Sequence, residues 1–163
     1  MPTRKMLPIL VFSIVLAGIA WGFAQKSTAA GTLTTQDYAD IQQLYARYYH
    51  TIDAGQGEAW ANTFTADGVF NGNTRGHDAL AASRRGSLKD HPLRHWHSNL
   101  TLTPTAEGAD GSAYVMQIDI TTKPPSISTF SRYDDKLVKT PQGWRFKIRQ
   151  RSSDTTMGSP AGQ

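Results

Sequence analysis

Cysteine is missing from all 163 residues of the chain. Its absence excludes disulfides, thiolate metal sites, a cysteine nucleophile and the modified cysteine of a lipoprotein. No glycine-rich phosphate loop occurs and no serine stands in a nucleophilic arrangement, so nucleotide use and acyl transfer are set aside. Charge is sparse, at 18% of residues. Three of the 17 basic residues (Arg4, Lys5 and Lys26) and none of the 13 acidic ones fall in residues 1–30, which leaves 14 against 13 in the remainder. The isoelectric point of 9.5 is therefore no argument for a nucleic-acid partner. Arg84-Arg85 and the cluster from Arg145 to Arg151 read as solvated faces.

Long apolar runs are limited to one, Met6 to Ala24, which carries no charge and follows Arg4-Lys5. This pattern reads as a secretory signal, with small residues suited to cleavage after Ala24 or Ala30, so the mature chain would start at Gln25 or Gly31. The run also just reaches the length of a bilayer span, which makes an uncleaved N-terminal anchor the alternative. The expected location is secreted or periplasmic, with contact to a membrane only if the segment stays attached. The remainder of the chain is long enough for one domain, and 39% hydrophobic residues allow it to be held by its core alone.

Residues 25–33 read as a small-residue linker. A first helix is predicted from Thr34, with Asp37 three residues on as capping-box partner. Tyr38, Ile41, Leu44, Tyr45, Tyr48 and Ile52 recur at spacings of three and four, which is one helical stripe. Gly55 and Gly57 end it, a short helix follows from Glu58 to Phe64, and Asp67-Gly68 turns into the extended piece Val69 to Asn71. Gly76 to Ser87 reads as a third helix. Beyond Pro92 the texture becomes strand-like: His95 to Pro104, a turn over Glu107 to Gly111, then Ala113 to Lys123, Ile127 to Lys139 and Trp144 to Arg151. Helices followed by hairpin-joined strands predict an α+β fold with one curved antiparallel sheet. The tail from Thr155 to Gln163 is small and polar, and is expected to be disordered.

Two residues stand out chemically. Asp53 sits where the first helix ends, a place where the carbonyl end of the helix dipole disfavours a carboxylate. Orienting a histidine is one task that would keep an acid there, and capping the Asp-Ala-Gly turn is another. His95 opens the first long strand. A neutral imidazole is the natural group for taking a proton from carbon, and a carboxylate on its other nitrogen fixes the tautomer and stabilises the imidazolium that forms. His97 and Asn99 share the face of His95 by period two. His95, His97 and a carboxylate are too weak a pattern for a metal site. The sequon Asn99-Leu100-Thr101 falls in a predicted strand and is discounted. Trp60, Trp96 and Trp144 read as core or cavity wall.

Ile41, Leu44, Tyr45, the Asp53-x-Gly55 turn, Trp60, Phe64 and Asp67-Gly68, followed by Arg94-His95-x-x-Ser98-Asn99, Tyr133-Asp134-Asp135-x-Leu137-Val138 and Gly143-Trp144-Arg145-Phe146, occur in the order of a known family. Over residues 34–154 the chain resembles the SnoaL-like branch of the nuclear-transport-factor-two-like superfamily. Around Asp53 and His95 it is similar to the Asp–His dyad of scytalone dehydratase, hexachlorocyclohexane dehydrochlorinase and bile-acid dehydratase, and Tyr48 matches the tyrosine of the last. The resemblance implies a cone, with three N-terminal helices over a curved sheet that encloses an apolar cavity, and a domain covering residues 31–154. It also implies a cofactor-independent lyase or isomerase without a metal, acting on a small hydrophobic molecule such as a cyclic ketone or polyketide-like compound. Asp53, His95 and Tyr48 would be the catalytic residues, while His97, Asn99, Asp119 and Trp60 would contact substrate. Two departures accompany it: Ile52 replaces the tyrosine that scytalone dehydratase carries before its aspartate, and the polar residue expected on the next strand falls near Thr121, with Asp119 as a stand-in. The alternative is a non-catalytic module of the same fold that binds a small molecule or a partner. A homodimer across the open sheet face is a further expectation.

Overall fold

The computed structural model describes residues 31–88 and 92–156. The apolar N-terminal run and residues 157–163 of the tail lie outside them. Helix α1 spans Thr35–Asp53 and starts at the expected capping box: the Thr34 side chain accepts from the Asp37 backbone N–H at 3.2 Å, and the Asp37 carboxylate accepts from the Thr34 backbone N–H at 3.0 Å. Its inward stripe is wider than predicted. Ile41, Leu44, Tyr45 and Tyr48 have no exposed surface and Tyr49 is also buried, whereas Tyr38 at the open end is 45% exposed. After the cap at Ala54, Gly55 takes a φ of +63°, and a side chain there would come within 2.8 Å of the Ser87 carbonyl. The helix end is thereby brought against the segment that follows the third helix.

Helix α2 (Gly57–Ala61) packs closely on α3 (His77–Arg84), since a Cβ at Gly57 would lie 2.3 Å from the Ala81 carbonyl oxygen. Between them run β1 (Phe64–Phe70) and the two-residue β2 (Thr74–Arg75). Phe64 thus opens a strand rather than closing a helix. Asp67-Gly68 lies inside β1, where its register against the neighbouring strand shifts between Phe64 and Val69. The rest of the sheet is β3 (Leu93–Pro104), β4 (Gly108–Asp119), β5 (Ser126–Thr140) and β6 (Gly143–Thr156). The expected turn after β3 moves: β4 already begins at Gly108. The expected tail shortens, because β6 stays paired to β5 as far as Thr156.

The six strands are ordered β2-β1-β6-β5-β4-β3, antiparallel except for the parallel joint between β1 and β6. The sheet is curved and unclosed, and register shifts leave extra residues in β3 (between Ser98 and Thr101), β5 and β6 that bend it. The helices pack on one face of it. The core between them joins the α1 stripe to Trp60, Phe64, Leu80, Val115, Leu137 and Phe146, with each large apolar side chain contributing about 1.5–3 kcal/mol on burial. Among the described residues no helix is long and apolar enough to cross a membrane.

Arg149 departs from the expectation of a solvated basic face. It is fully buried, with its guanidinium carbon 4.0 Å from the Tyr133 ring centre, 4.1 Å from that of Tyr48 and 4.2 Å from that of Phe146. The equally buried Asp135 carboxylate lies 3.4 Å from Arg149 Nε and accepts a 2.5 Å hydrogen bond from the Tyr45 hydroxyl. Plain alternation would continue the buried face of Trp144 and Phe146 to residue 148. The extra residue that β6 carries opposite Lys136 and Leu137 moves Arg149 onto that face instead.

Candidate active site

Asp53 is the last residue of α1, and its carboxylate holds His95 at two points. Oδ2 accepts from the His95 backbone N–H at 3.2 Å, and Oδ1 lies 2.5 Å from Nδ1 of the ring. This double contact offsets the unfavourable placement of an acid at a helix C-terminus. The ring is 2% exposed and the carboxylate 13%, so little water screens the pair. On the far side of the ring, Nε2 lies 2.8 Å from Nε2 of Gln117, the residue paired with His95 across the β3–β4 ladder.

The hydrogens in this network can be assigned from what each group is able to donate. Arg151 Nη2 can only donate, and it lies 3.3 Å from Thr129 Oγ1. The Thr129 hydroxyl therefore directs its own hydrogen to Gln117 Oε1, 2.8 Å away. That orients the Gln117 NH2 toward His95, so Nε2 accepts and Nδ1 carries the hydrogen given to Asp53. From Arg151 to Asp53 every donor points the same way.

Two recesses flank the ring. A recess of about 480 Å³ runs beside Asp53, lined by Ala46, Tyr49, His50, Arg94 and His97. A smaller cavity of about 210 Å³ is lined by Ile52, Phe70, Leu88 and Tyr133 together with His95, Gln117, Ser87 and Arg151. The larger volume is not where the base would act. Nε2 points to Gln117, and Gln117 lines the smaller cavity. Tyr49 lies nearly parallel to both histidine rings, with centres 5.8 Å from His95 and 4.9 Å from His97, and its hydroxyl accepts from Arg149 at 3.2 Å. Burial, and then the charge of Arg149, hold His97 below its ordinary pKa, which favours an uncharged ring. Among the described residues no three His, Cys, Asp or Glu side chains are grouped as metal ligands.

A model of the SnoaL-like domain matches residues 34–150. The chain belongs to the SnoaL-like family. Among solved structures similar to this SnoaL-like protein is Rv3472 of Mycobacterium tuberculosis, a protein of unknown function, with 28% identity, a TM-score of 0.69, and coverage of 80% of this chain and 84% of that one. Others are ActVI-ORFA of Streptomyces coelicolor (22% identity, TM-score 0.65, 75% of this chain and 98% of that one) and a candidate scytalone dehydratase of Novosphingobium aromaticivorans (21%, 0.64, 78% and 90%). The last two likenesses are likenesses of fold. No curated protein sequence matches.

In this SnoaL-like domain, Asp53 and His95 are in contact and His97 stands beside them, but the other residues singled out from sequence are elsewhere. Tyr48 is not on the cavity. It is fully buried, with Trp60, Phe64, Tyr133 and Phe146 around it, because it lies at the centre of the α1 stripe. Trp60 has no exposed surface either and packs under the Arg84 guanidinium at 5.1 Å. Asn99 leaves the face of His95 because it takes a φ of +54° at the register shift in β3 and is exposed. Asp119 Oδ1 instead accepts from the backbone and hydroxyl of Thr121 at 2.8 and 2.6 Å, in the turn after β4.

Gln117, Thr129, Ser87 and Arg151 escape the sequence reading. For Gln117 the ladder arithmetic comes within one residue. With the turn at 105–107, Pro104 pairs with Ala109, which alone would set His95 opposite Ile118, and the register shift between Ser98 and Thr101 brings it opposite Gln117. Placing it at 107–111 moves the partner past the end of β4. Tyr49, which stacks on both histidines, is one residue away from Tyr48, the tyrosine that the resemblance made catalytic.

Proposed function

We propose that this SnoaL-like protein is an exported, cofactor-independent lyase or isomerase acting on a small, largely apolar molecule such as a cyclic ketone or polyketide-like compound. The observation that carries the reading is the double hold of Asp53 on His95, with the lone pair of Nε2 directed at Gln117, a residue lining the smaller cavity. His95 takes a proton from a substrate carbon, and Asp53 stabilises the imidazolium through Nδ1–H. Ile52, Phe70 and Leu88 supply the apolar wall that removes the substrate from water. Export rests on the charge-free run behind Arg4-Lys5.

A second reading, a binding module of the same fold, is favoured by one observation: the His95 ring is almost wholly covered and its free nitrogen is already engaged by Gln117. The two separate by experiment. Hydrogen–deuterium exchange at carbon is followed by NMR for a panel of cyclic ketones in D2O, with wild type, His95→Ala and His95→Asn. The asparagine variant keeps a donor for Asp53 and so guards against a folding defect. Catalysis predicts exchange by wild type that both variants lose while ligand affinity persists. Ligand binding without exchange in any of the three would sink the catalytic reading.

A further inference from the structure

Gln117 occupies the one nitrogen through which His95 could act. Its Oε1 is held by the Thr129 hydroxyl, which is held in turn by Arg151, and Arg151 Nε is anchored on Ser131 Oγ at 3.0 Å. The amide therefore cannot turn over without breaking the chain of donors behind it. Its N–H rests on the lone pair of Nε2. A substrate that offers only C–H to that lone pair would leave this N–H without an acceptor, at the cost of stranding a buried polar group. Resting on the proton-abstraction reading, we propose that Gln117 is a further catalytic residue, whose N–H is handed from His95 to a carbonyl oxygen of the substrate, so that the cavity selects a ketone with an acidic C–H on the adjacent carbon.

The juxtaposition suits such a group. The base nitrogen and the amide nitrogen are neighbours, 2.8 Å apart, as the α-hydrogen and the carbonyl oxygen of a ketone are neighbours. The C–H bond breaks, its proton goes to Nε2, and the electron pair moves into the carbonyl oxygen, where the Gln117 N–H receives the enolate. The imidazolium then returns the proton to carbon, or gives it to a β-hydroxyl that leaves as water. The donor chain ends on a permanent cation, which polarises that N–H further. A second polar atom of the same cavity supports an oxygen-bearing ligand: Ser87 Oγ is buried without a hydrogen-bond partner among the described residues. An unused buried hydroxyl is costly unless a ligand completes it.

The test uses the folded protein with 2-tetralone, an enolisable ketone, and tetralin, the same skeleton without oxygen. The Gln117 side-chain NH2 resonances of 15N-labelled protein are followed during both titrations, and deuterium incorporation at C1 of 2-tetralone is measured for wild type, Gln117→Leu and Gln117→Met. The expected result is that 2-tetralone moves the Gln117 NH2 resonances and tetralin does not, and that each variant loses about 100-fold in exchange rate at saturating ketone, the scale for one oxyanion donor. Gln117 resonances that stay in place with 2-tetralone, or equal affinity for tetralin, would overturn the proposal. Wild-type exchange retained in the methionine variant would remove Gln117 from the chemistry and leave His95 as base. Shifts at Gln117 without exchange in wild type would overturn the proton-abstraction reading instead, and leave the carbonyl as the recognised group.

Discussion

An Asp–His pair is worth most when the histidine has no choice of tautomer, and here both of its nitrogens are spoken for. Asp53 requires a hydrogen on Nδ1, and Gln117, oriented by Thr129 and Arg151, requires a bare Nε2. Asp53→Asn would present an NH2 as well as a carbonyl to Nδ1, and so permits the tautomer that blocks Nε2. The expected outcome is a loss of exchange activity of about 10⁴-fold, the scale for the same change in a hydrolase triad, with circular dichroism unchanged. An accompanying switch of the bare nitrogen from Nε2 to Nδ1, read from 15N shifts of the ring, would identify tautomer control as the cause. Activity within tenfold of wild type would assign Asp53 to turn capping instead.

At the scale of elements, Asp37 does more than cap α1. Its Oδ1 accepts from Lys139 Nζ of β5 at 2.7 Å and from Trp144 Nε1 of β6 at 3.0 Å, while Oδ2 completes the capping box. One carboxylate thus fastens the start of the helix to the β5–β6 hairpin, and so sets where Asp53, at the other end of the helix, meets β3. The Lys139 contact first, and the Thr34 and Trp144 contacts with it, hold the Asp37 carboxyl well below its usual value of 3.8. A depressed folded-state pKa contributes stability that is full above the unfolded value and is lost as pH falls below it. Asp37→Asn should therefore melt at a lower temperature than wild type at pH 7, and the difference should shrink as pH drops below about 4. A gap in melting temperature that stays constant from pH 7 to pH 3 would show that the charge is not what matters. The elements themselves were readable where periodicity is clean, as in α1 and β5. Boundaries failed where one residue type serves two structures: Phe64 suits a helix end as well as a strand start, and Gly108 to Gly111 looks like a turn but lies in β4, where a side chain at Gly111 would meet the Tyr45 hydroxyl at 2.7 Å.

For the molecule as a whole, the central feature is a buried cation in place of a purely apolar core. Arg149 and Asp135 lie at the junction of α1, β5 and β6, ringed by tyrosines, and burial pushes the Asp135 carboxyl up to about 6 despite the pull of Arg149. Removing one partner of such a pair strands the other, which costs about 3–5 kcal/mol. Arg149→Met should lose stability on that scale in urea unfolding, and adding Asp135→Asn to it should recover part of the loss. A methionine variant as stable as wild type would mean that the pair contributes nothing to the fold. The sequence by itself determined the α+β order, the capping box and the α1 stripe, because each follows from local periodicity or local motif. The nearness of Asp53 to His95 entered only through the family resemblance, since residues 42 apart in the chain meet by tertiary folding. Only the tertiary structure decided that Tyr49 rather than Tyr48 stacks on the histidines, that Arg149 turns inward, and that Gln117, Thr129 and Arg151 complete the site. Those residues come from three strands, and their meeting depends on ladder register and sheet curvature, which a shift of one residue in a turn or a bulge changes for every position beyond it.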